Sequence, residues 1–314
     1  MELIDFDKGK RIGTRGYRGN AGRKQAYLYN DELWMVKFPQ STRDLAGKHL
    51  PSYTSSPLSE YIGSQVYGAL GIPVHDTIIG HCQGKIVVGC KDFAVNSELM
   101  EFSQIKNTID EELISGSYGS SAQGERLSDV LKVIECAEAF SGLRDKVRER
   151  FWDMFVTDAF ILNNDRNNGN WGLLLGRYTI ELAPVFDNGN ALFNKRTVSV
   201  EERRGKDTSL VKQDVFTGVS FFLDDNGHHL YPFRFMESME NNRCNDAILR
   251  FAGKLDMDRM FGIIDAIPEH AWGLNVISKA EKDFYKQLLE TAWREGIAPI
   301  SEKLVQGVKL IQSL

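Results

Sequence analysis

The stretch Asn163-Asn164-Asp165-Arg166-Asn167-Asn168-Gly169-Asn170 leaves this chain fewer alternatives than any other part of it. It follows residues 143–162, where Val147, Phe151, Phe155, Ala159 and Leu162 recur at helical spacing. It precedes two runs that read as strands, 171–175 and 179–186, with Gly176-Arg177-Tyr178 short enough between them to close a hairpin. Asp187-Asn188-Gly189 comes directly after. A helix, a polar loop, a hairpin and an acidic turn thus set three oxygen-bearing side chains, Asp165, Asn170 and Asp187, around one antiparallel pair. Asn, Asp and Gly also crowd into ordinary turns, so each of the three taken alone is equally well a turn residue. The spacing of all three is what calls for a chemical reading.

Phosphoryl transfer supplies that reading. In protein kinases an Asp accepts the proton of the acceptor hydroxyl, an Asn five residues on binds Mg²⁺, and a later Asp before a Gly binds Mg²⁺ again. Asp165, Asn170 and Asp187 stand at those spacings. Magnesium is a hard cation with octahedral demands, which compact carboxylates and amides on a rigid hairpin can meet beside phosphate oxygens.

The N-terminal part carries matching features. Gly13, Gly16, Gly19 and Gly22 recur among Arg15, Arg18, Arg23 and Lys24 just before a strand. Glycine lets backbone N–H groups approach phosphates, and cations complement their charge. The run is neither a Walker A loop nor a G-x-G-x-x-G, and by itself it reads equally as a flexible basic turn. The strand after it, Leu33-Trp34-Met35-Val36-Lys37-Phe38, is apolar apart from Lys37. A buried ammonium needs a partner, and ATP phosphates together with Glu60, early in a helix over 57–70, would provide one. The bland alternatives are a snorkelling lysine and a first-turn carboxylate favoured by the helix dipole. Downstream, Cys90, Asp92 and Phe93 lie where an extended segment passes into the helical half, and a backbone edge there could pair with adenine.

With 314 residues the chain exceeds one ordinary core and predicts two lobes, 1–93 and 94–314. The first reads as β-rich, with strands at 25–29, 33–38, 77–79 and 85–90 and one helix. The second reads as mainly helical, with further helices over 246–267 and from 279 to the C-terminus. The expected fold class is α+β, a bilobal protein-kinase-like fold with a small β-rich N-lobe and a larger helical C-lobe. Residues 115–124 are of low complexity, and 196–227 are charged and poorly periodic. Asp153 and Asp158 read as solvated or locally bonded groups, His228-His229 as a turn, and Trp152, Trp171 and Trp272 as core.

A hydrophobic fraction of 42% and a charged fraction of 26% fit a globular chain, and a net charge of −5 gives no general attraction for nucleic acid. The four cysteines show no CxxC pair, which argues against a zinc ribbon or a redox motif. Neither a secretory leader nor a membrane span is expected, and a cytoplasmic location follows. Export by a route without a leader would leave no trace in the sequence.

The segments Gly19-Asn-Ala-Gly22, Met35-Val-Lys-Phe-Pro39, Ser59-Glu-Tyr-Ile62, Gly71-Ile-Pro73, Gly89-Cys-Lys-Asp-Phe93, Asn164-Asp-Arg-Asn-Asn-Gly-Asn-Trp171 and Ala183-Pro-Val-Phe-Asp187 resemble the HipA-like serine/threonine kinases. Within them the match is to the short branch typified by cell-translocating kinase A. The resemblance implies ATP- and Mg²⁺-dependent phosphorylation of protein Ser or Thr, often autophosphorylation, and in toxin members inhibition of an aminoacyl-tRNA synthetase. It makes Asp165 the catalytic base, Asn170 and Asp187 the Mg²⁺ ligands, Lys37 the phosphate-binding lysine and Glu60 its partner.

Three departures bear on the resemblance. The extra N-terminal subdomain of full-length HipA toxins is not represented, and either a small antitoxin or subdomain-like partner supplies it or nothing does. The glycine-rich loop has no serine. Asn163-Asn164 stands where ordinary kinases have the His-Arg that reads a phosphorylated activation loop. Local density marks Ser52, Thr54, Ser55, Ser56, Ser117 and Ser120 as candidate autophosphorylation sites. A small-molecule or lipid kinase on the same fold, or an inactive nucleotide-binding module, are the other readings.

Overall fold

The computed structural model describes residues 1–17, 22–43, 50–109 and 124–312. Gly19 and Arg18, and the candidate acceptors Ser117 and Ser120, lie outside the described residues. The chain forms two compact units, one of Met1–Val95, Val185–Lys212 and Asp256–Leu288, the other of Asn96–Pro184, Gln213–Leu255 and Leu289–Leu314.

The first stretch builds a six-stranded sheet from β1 (Ile4–Asp5), β2 (Lys10–Ile12), β3 (Lys24–Tyr29), β4 (Glu32–Lys37), β5 (Thr77–Cys82) and β6 (Lys85–Lys91), in the order β1-β5-β6-β4-β3-β2. Only β1 pairs in parallel, with β5. Helix α1 (Ser56–Ala69) lies between β4 and β5 in sequence, with Pro57 in its first turn, where a missing N–H costs nothing. Gly71, at φ +70°, follows its last turn in the left-handed conformation that glycine adopts without strain. Phe6 is fully buried, packed edge-on near Tyr29 and Trp34. Its ring occupies the space over Gly80 and Gly89, where an added Cβ would come within 2.6 and 2.3 Å of it. Two glycines in neighbouring strands therefore serve one aromatic plug.

Residues 96–184 carry β7 (Glu98–Glu101), α2 (Phe102–Lys106), β8 (Glu125–Arg126), α3 (Leu127–Cys136), α4 (Arg144–Phe160), β9 (Gly172–Leu175) and β10 (Ile180–Leu182). The hairpin expected from the sequence is present, with Ile180 opposite Leu175 and Leu182 opposite Leu173, and β7 completes a three-stranded sheet. Its second strand is shorter than the expected 179–186: Val185 forms a parallel bridge with Val74. An aromatic core fixes this region, with Phe102 stacked on Trp171 at 4.1 Å and Phe151 edge-on to Trp152.

The remainder holds α5 (Val198–Gly205), α6 (Thr208–Thr217), β11 (Phe222–Leu223), α7 (Pro232–Ser238), α8 (Asn242–Lys254), α9 (Met257–Asp265), a hairpin of β12 (His270–Ala271) and β13 (Leu274–Asn275), α10 (Lys279–Thr291), a π-helical turn at Ala292–Ile297 and α11 (Ala298–Gln312). Several expectations are corrected here. The single helix over 246–267 is two helices, because Leu255 is extended and the Asp256 carboxylate caps α9 by accepting from Arg259 N. The helix from 279 onward is interrupted by the π turn, where a Cβ on Gly296 would come within 2.4 Å of Phe233. Residues 198–217 are two short helices rather than aperiodic chain, the first capped by Thr197. Trp152 and Trp171 are core, but Trp272 is exposed in the turn after β12 and stacks on His81. His228 and His229 follow the Asp224 turn as expected.

Candidate active site

Within the first unit the site begins with the alternation of β4. Trp34 and Val36 face the core, which sends Met35 and Lys37 to the other face. There the Lys37 Nζ donates to Glu60 Oε2 at 2.7 Å and to Asp187 Oδ1 at 2.8 Å. Burial alone would depress the lysine pKa, but the charges of Asp187 and Glu60 outweigh it and hold the ammonium well above its usual range. Glu60 is 1% exposed; burial pushes its carboxyl up, yet Lys37, and then the bond from His75, pull it well below the usual carboxylate range.

The other carboxylate oxygen of Glu60 accepts from Asn188 N and from His75 Nε2, both at 3.0 Å. One turn further along α1, Ser64 Oγ lies 3.1 Å from His75 Nε2 and accepts from Asn188 Nδ2 at 3.0 Å. Glu60 is thus aimed at Lys37 by Asn188 and His75, with Ser64 bonded to both of them. Asp187 stands at φ 60°, a left-handed conformation that costs a non-glycine residue energy and is typical of functional turns. Gly189 leaves no room for a side chain without moving Glu60, since its Cβ would sit 3.1 Å from Oε2.

The remaining candidates of this unit fall into different positions. Lys24 is the direct cross-strand partner of Lys37, and its strongest electrostatic neighbours are Asp187, Lys37 and Glu60. Gly22, at φ +67°, needs to be glycine; Gly13 and Gly16 face open space. The Cys90 backbone belongs to a central strand flanked by β4 and β5, and its buried thiol, pushed up by burial, lies beside Lys37 and Glu60. The Asp92 carboxylate is taken by Arg15, Tyr17 and Ala94 N. Phe93 packs on Phe186 with ring centroids 5.5 Å apart and lies edge-on to His75.

In the second unit, α4 ends where Leu162 turns left-handed at φ 56°. Asn163 Oδ1 then accepts from Asp165 N at 3.2 Å, forming a local Asx turn. Arg166 is 2% exposed and bonds Asp158 through Nε at 2.8 Å and Nη2 at 2.9 Å, while its Nη1 donates to the Asn170 carbonyl at 3.2 Å. This fork holds both ends of the loop. Asn170 Nδ2 donates to the Asp165 carbonyl at 2.6 Å, which commits the amide nitrogen and leaves Oδ1 as the atom able to bind a cation. Asn167 Nδ2 donates to Asp165 Oδ1 at 3.0 Å. Asn168 bonds Glu125, which also accepts from the buried Lys106 at 2.6 Å.

Sequence reasoning missed His75, Ser64 and Asn188, which bear on Glu60; of the two readings of Asp158 the locally bonded one holds, since it accepts from Asn163 and Arg166 and is buried beneath them. Arg166 inside the motif was the available signal for Asp158, since a buried guanidinium demands a carboxylate. His75 gave no signal of its own. Of the candidate acceptors, Ser52 is exposed, Thr54 is buried, and Ser55 Oγ donates to the Asn194 carbonyl.

No family model matches the chain. A curated relative, the serine/threonine-protein kinase CtkA of Helicobacter pylori strain J99, is 33% identical over 295 residues, covering 92% of this chain and 85% of the relative. This chain belongs to the CtkA-type serine/threonine-protein kinases. The crystal structure of a Helicobacter pylori proinflammatory kinase CtkA superposes with a TM-score of 0.85 and 30% identity, covering 96% of this chain and 98% of that one. The likeness establishes the α+β kinase-like fold. A complex of the Shewanella oneidensis MR-1 toxin–antitoxin proteins HipA and HipB with operator DNA matches at a TM-score of 0.50 and 14% identity, covering 91% of this chain and 67% of that one, a likeness of fold. Among the described residues no helix is long and apolar enough to cross a membrane.

Proposed function

We propose that this member of the CtkA-type kinases transfers the γ-phosphate of ATP to a serine or threonine hydroxyl of a protein, itself included, with Mg²⁺ as its metal. The observation that carries this reading is the ion-paired set of Lys37, the buried Glu60 and Asp187. A strand lysine held between a helix carboxylate and the Asp of an Asp-Asn-Gly turn is the arrangement that phosphate binding requires. Lys37 would neutralise phosphate oxygens and Glu60 would hold its ammonium in place. Gly16, Gly19 and Gly22 would let the backbone approach the phosphates, and the segment of Cys90, Asp92 and Phe93 would border the adenine. Asp165 would accept the hydroxyl proton as the acceptor oxygen bonds to Pγ and the bond to the bridging oxygen of ADP breaks.

Asn170 Oδ1 and the Asp187 carboxylate, 31% exposed, are hard oxygen donors of the kind Mg²⁺ selects. Mg²⁺ would supply the charge that neutralises the phosphate oxygens. Residues 1–93 would supply the glycine-rich loop, Lys37 and the hinge, and 94–314 the catalytic loop and Asp187. Partners in this reading are protein acceptors and a small antitoxin or N-subdomain-like protein, with no nucleic acid bound by this chain alone; the location is cytoplasmic. The toxin or effector role belongs to the same proposal.

The test is incubation of the purified protein with γ-labelled ATP, Mg²⁺ and a generic protein acceptor, followed by phosphoamino-acid analysis. Label on serine or threonine is expected. Transfer to a metabolite or lipid alone would replace the acceptor class, and binding of ATP without transfer under any metal condition would favour an inactive module.

A further inference from the structure

Between β2 and β3 the described residues 13–17, 22 and 23 belong to no strand, and they include Gly13, Gly16 and Gly22. A loop of that composition is expensive to order. Two of its side chains, Arg15 and Tyr17, are separated by Gly16, and both reach one oxygen of Asp92. Arg15 Nε donates to Asp92 Oδ2 at 3.0 Å, Arg15 Nη2 lies 2.8 Å from the same atom, and the Tyr17 hydroxyl donates to it at 3.0 Å. Arg15 Nη2 also donates to the Ala94 carbonyl at 3.2 Å, and the Asp92 Oδ1 accepts from Ala94 N at 2.9 Å. The Asp92 side chain is 4% exposed, whereas Arg15 remains 37% exposed. Burial, and then the neighbouring Asp92 charge, hold the Tyr17 hydroxyl far above its ordinary range, so it remains a donor.

An almost fully buried carboxylate that takes a guanidinium, a phenol and a backbone N–H has little left to offer a ligand. We infer that Asp92 is a latch: through Arg15 and Tyr17 it ties the glycine-rich segment to the end of β6, and these three are positioning residues that set nucleotide affinity. This rests on the nucleotide-binding reading of the same site. The latch fixes residues 15–17 before ATP arrives, so that the cost of ordering them is not charged against binding. Charge-assisted bonds are the strong ones among hydrogen bonds, which places the loss on cutting the latch at about tenfold in nucleotide affinity.

The experiment is fluorescence titration of the full chain with a mant-labelled ATP, together with steady-state kinetics. Arg15→Ala and Asp92→Asn are expected to raise the nucleotide Kd about tenfold and Tyr17→Phe less. The double variant Arg15→Ala/Asp92→Asn should be no weaker than its weaker-binding parent. KM for ATP should rise while KM for the protein acceptor stays, a split that general destabilisation would not give. Thermal melting checks folding; where Asp92→Asn melts early, Arg15→Lys, which keeps the charge and loses the fork, should fall between wild type and Arg15→Ala. Variants that bind like wild type, or effects that add in the double variant, would overturn the latch and leave the site reading intact. A wild-type protein that binds no nucleotide would overturn both.

Discussion

Replacing Glu60 with Gln keeps the shape of the side chain and removes one charge. Its two oxygens now accept from three donors: Oε2 from Lys37, and Oε1 from Asn188 N and His75 Nε2. An amide has one oxygen, so in either orientation its NH₂ group faces a donor. Removing one partner of a buried ion pair costs about 3–5 kcal/mol when nothing replaces it. Here Asp187 still holds Lys37 at 2.8 Å, which brings the ionic part below that range. Leaving a buried donor unsatisfied adds about 1–3 kcal/mol. The sum is about 3 kcal/mol of lost stability, or ~6–12 °C in melting temperature for a unit of 150–250 residues. Calorimetry of wild type and Glu60→Gln, with the kinase assay beside it, measures both consequences. The melting temperature should fall by that amount and kcat/KM by at least tenfold. A change within 1 °C together with unaltered transfer would refute the claim that Glu60 is the buried anchor of Lys37.

Three further outcomes follow from the geometry. Asp158→Asn, which breaks the buried fork to Arg166, should cost about 3 kcal/mol and abolish most transfer; a stable, fully active variant in urea titration would show that the fork does not hold the loop. Gly89→Ala would press on the Phe6 ring and should cost about 1–3 kcal/mol, read from the urea midpoint; an unchanged midpoint would contradict the plug. Glu201 is 1% exposed, and burial, with the nearby Glu281 charge, pushes its pKa from an ordinary 4.5 up to about 8, against Arg196 and Tyr285. The folded state then holds the proton more tightly, so wild type should lose stability relative to Glu201→Gln as pH rises from 4.5 to about 8, and no further above it; parallel urea midpoints at pH 5, 7 and 8.5 would disprove this.

What the sequence made legible was whatever rests on local pattern. Strand alternation around Lys37 and the helical period of 143–162 both survive because neighbouring residues determine them. The interruptions were harder. Asp256 caps a helix inside what reads as one continuous period, and the π turn at 292–297 accommodates Phe233, a residue distant in sequence. Lys37 and Glu60 were legible because a lone ammonium in an apolar strand demands a carboxylate. His75 was not, because its bond to Glu60 depends on where the turn after α1 returns to the helix. Trp272 was misplaced because aromatic size predicts burial on average, whereas stacking on His81 in a turn leaves much of the ring in solvent.

In the proposed reaction Asp165 takes the proton of the acceptor hydroxyl. Single-turnover transfer from γ-labelled ATP with Mg²⁺, comparing wild type with Asp165→Asn at matched nucleotide saturation, tests it most directly. Labelled serine or threonine is expected from wild type and at least a hundredfold slower transfer from the variant, about the lower bound for losing a positioned base, with nucleotide binding retained. Transfer by Asp165→Asn at the wild-type rate would contradict it.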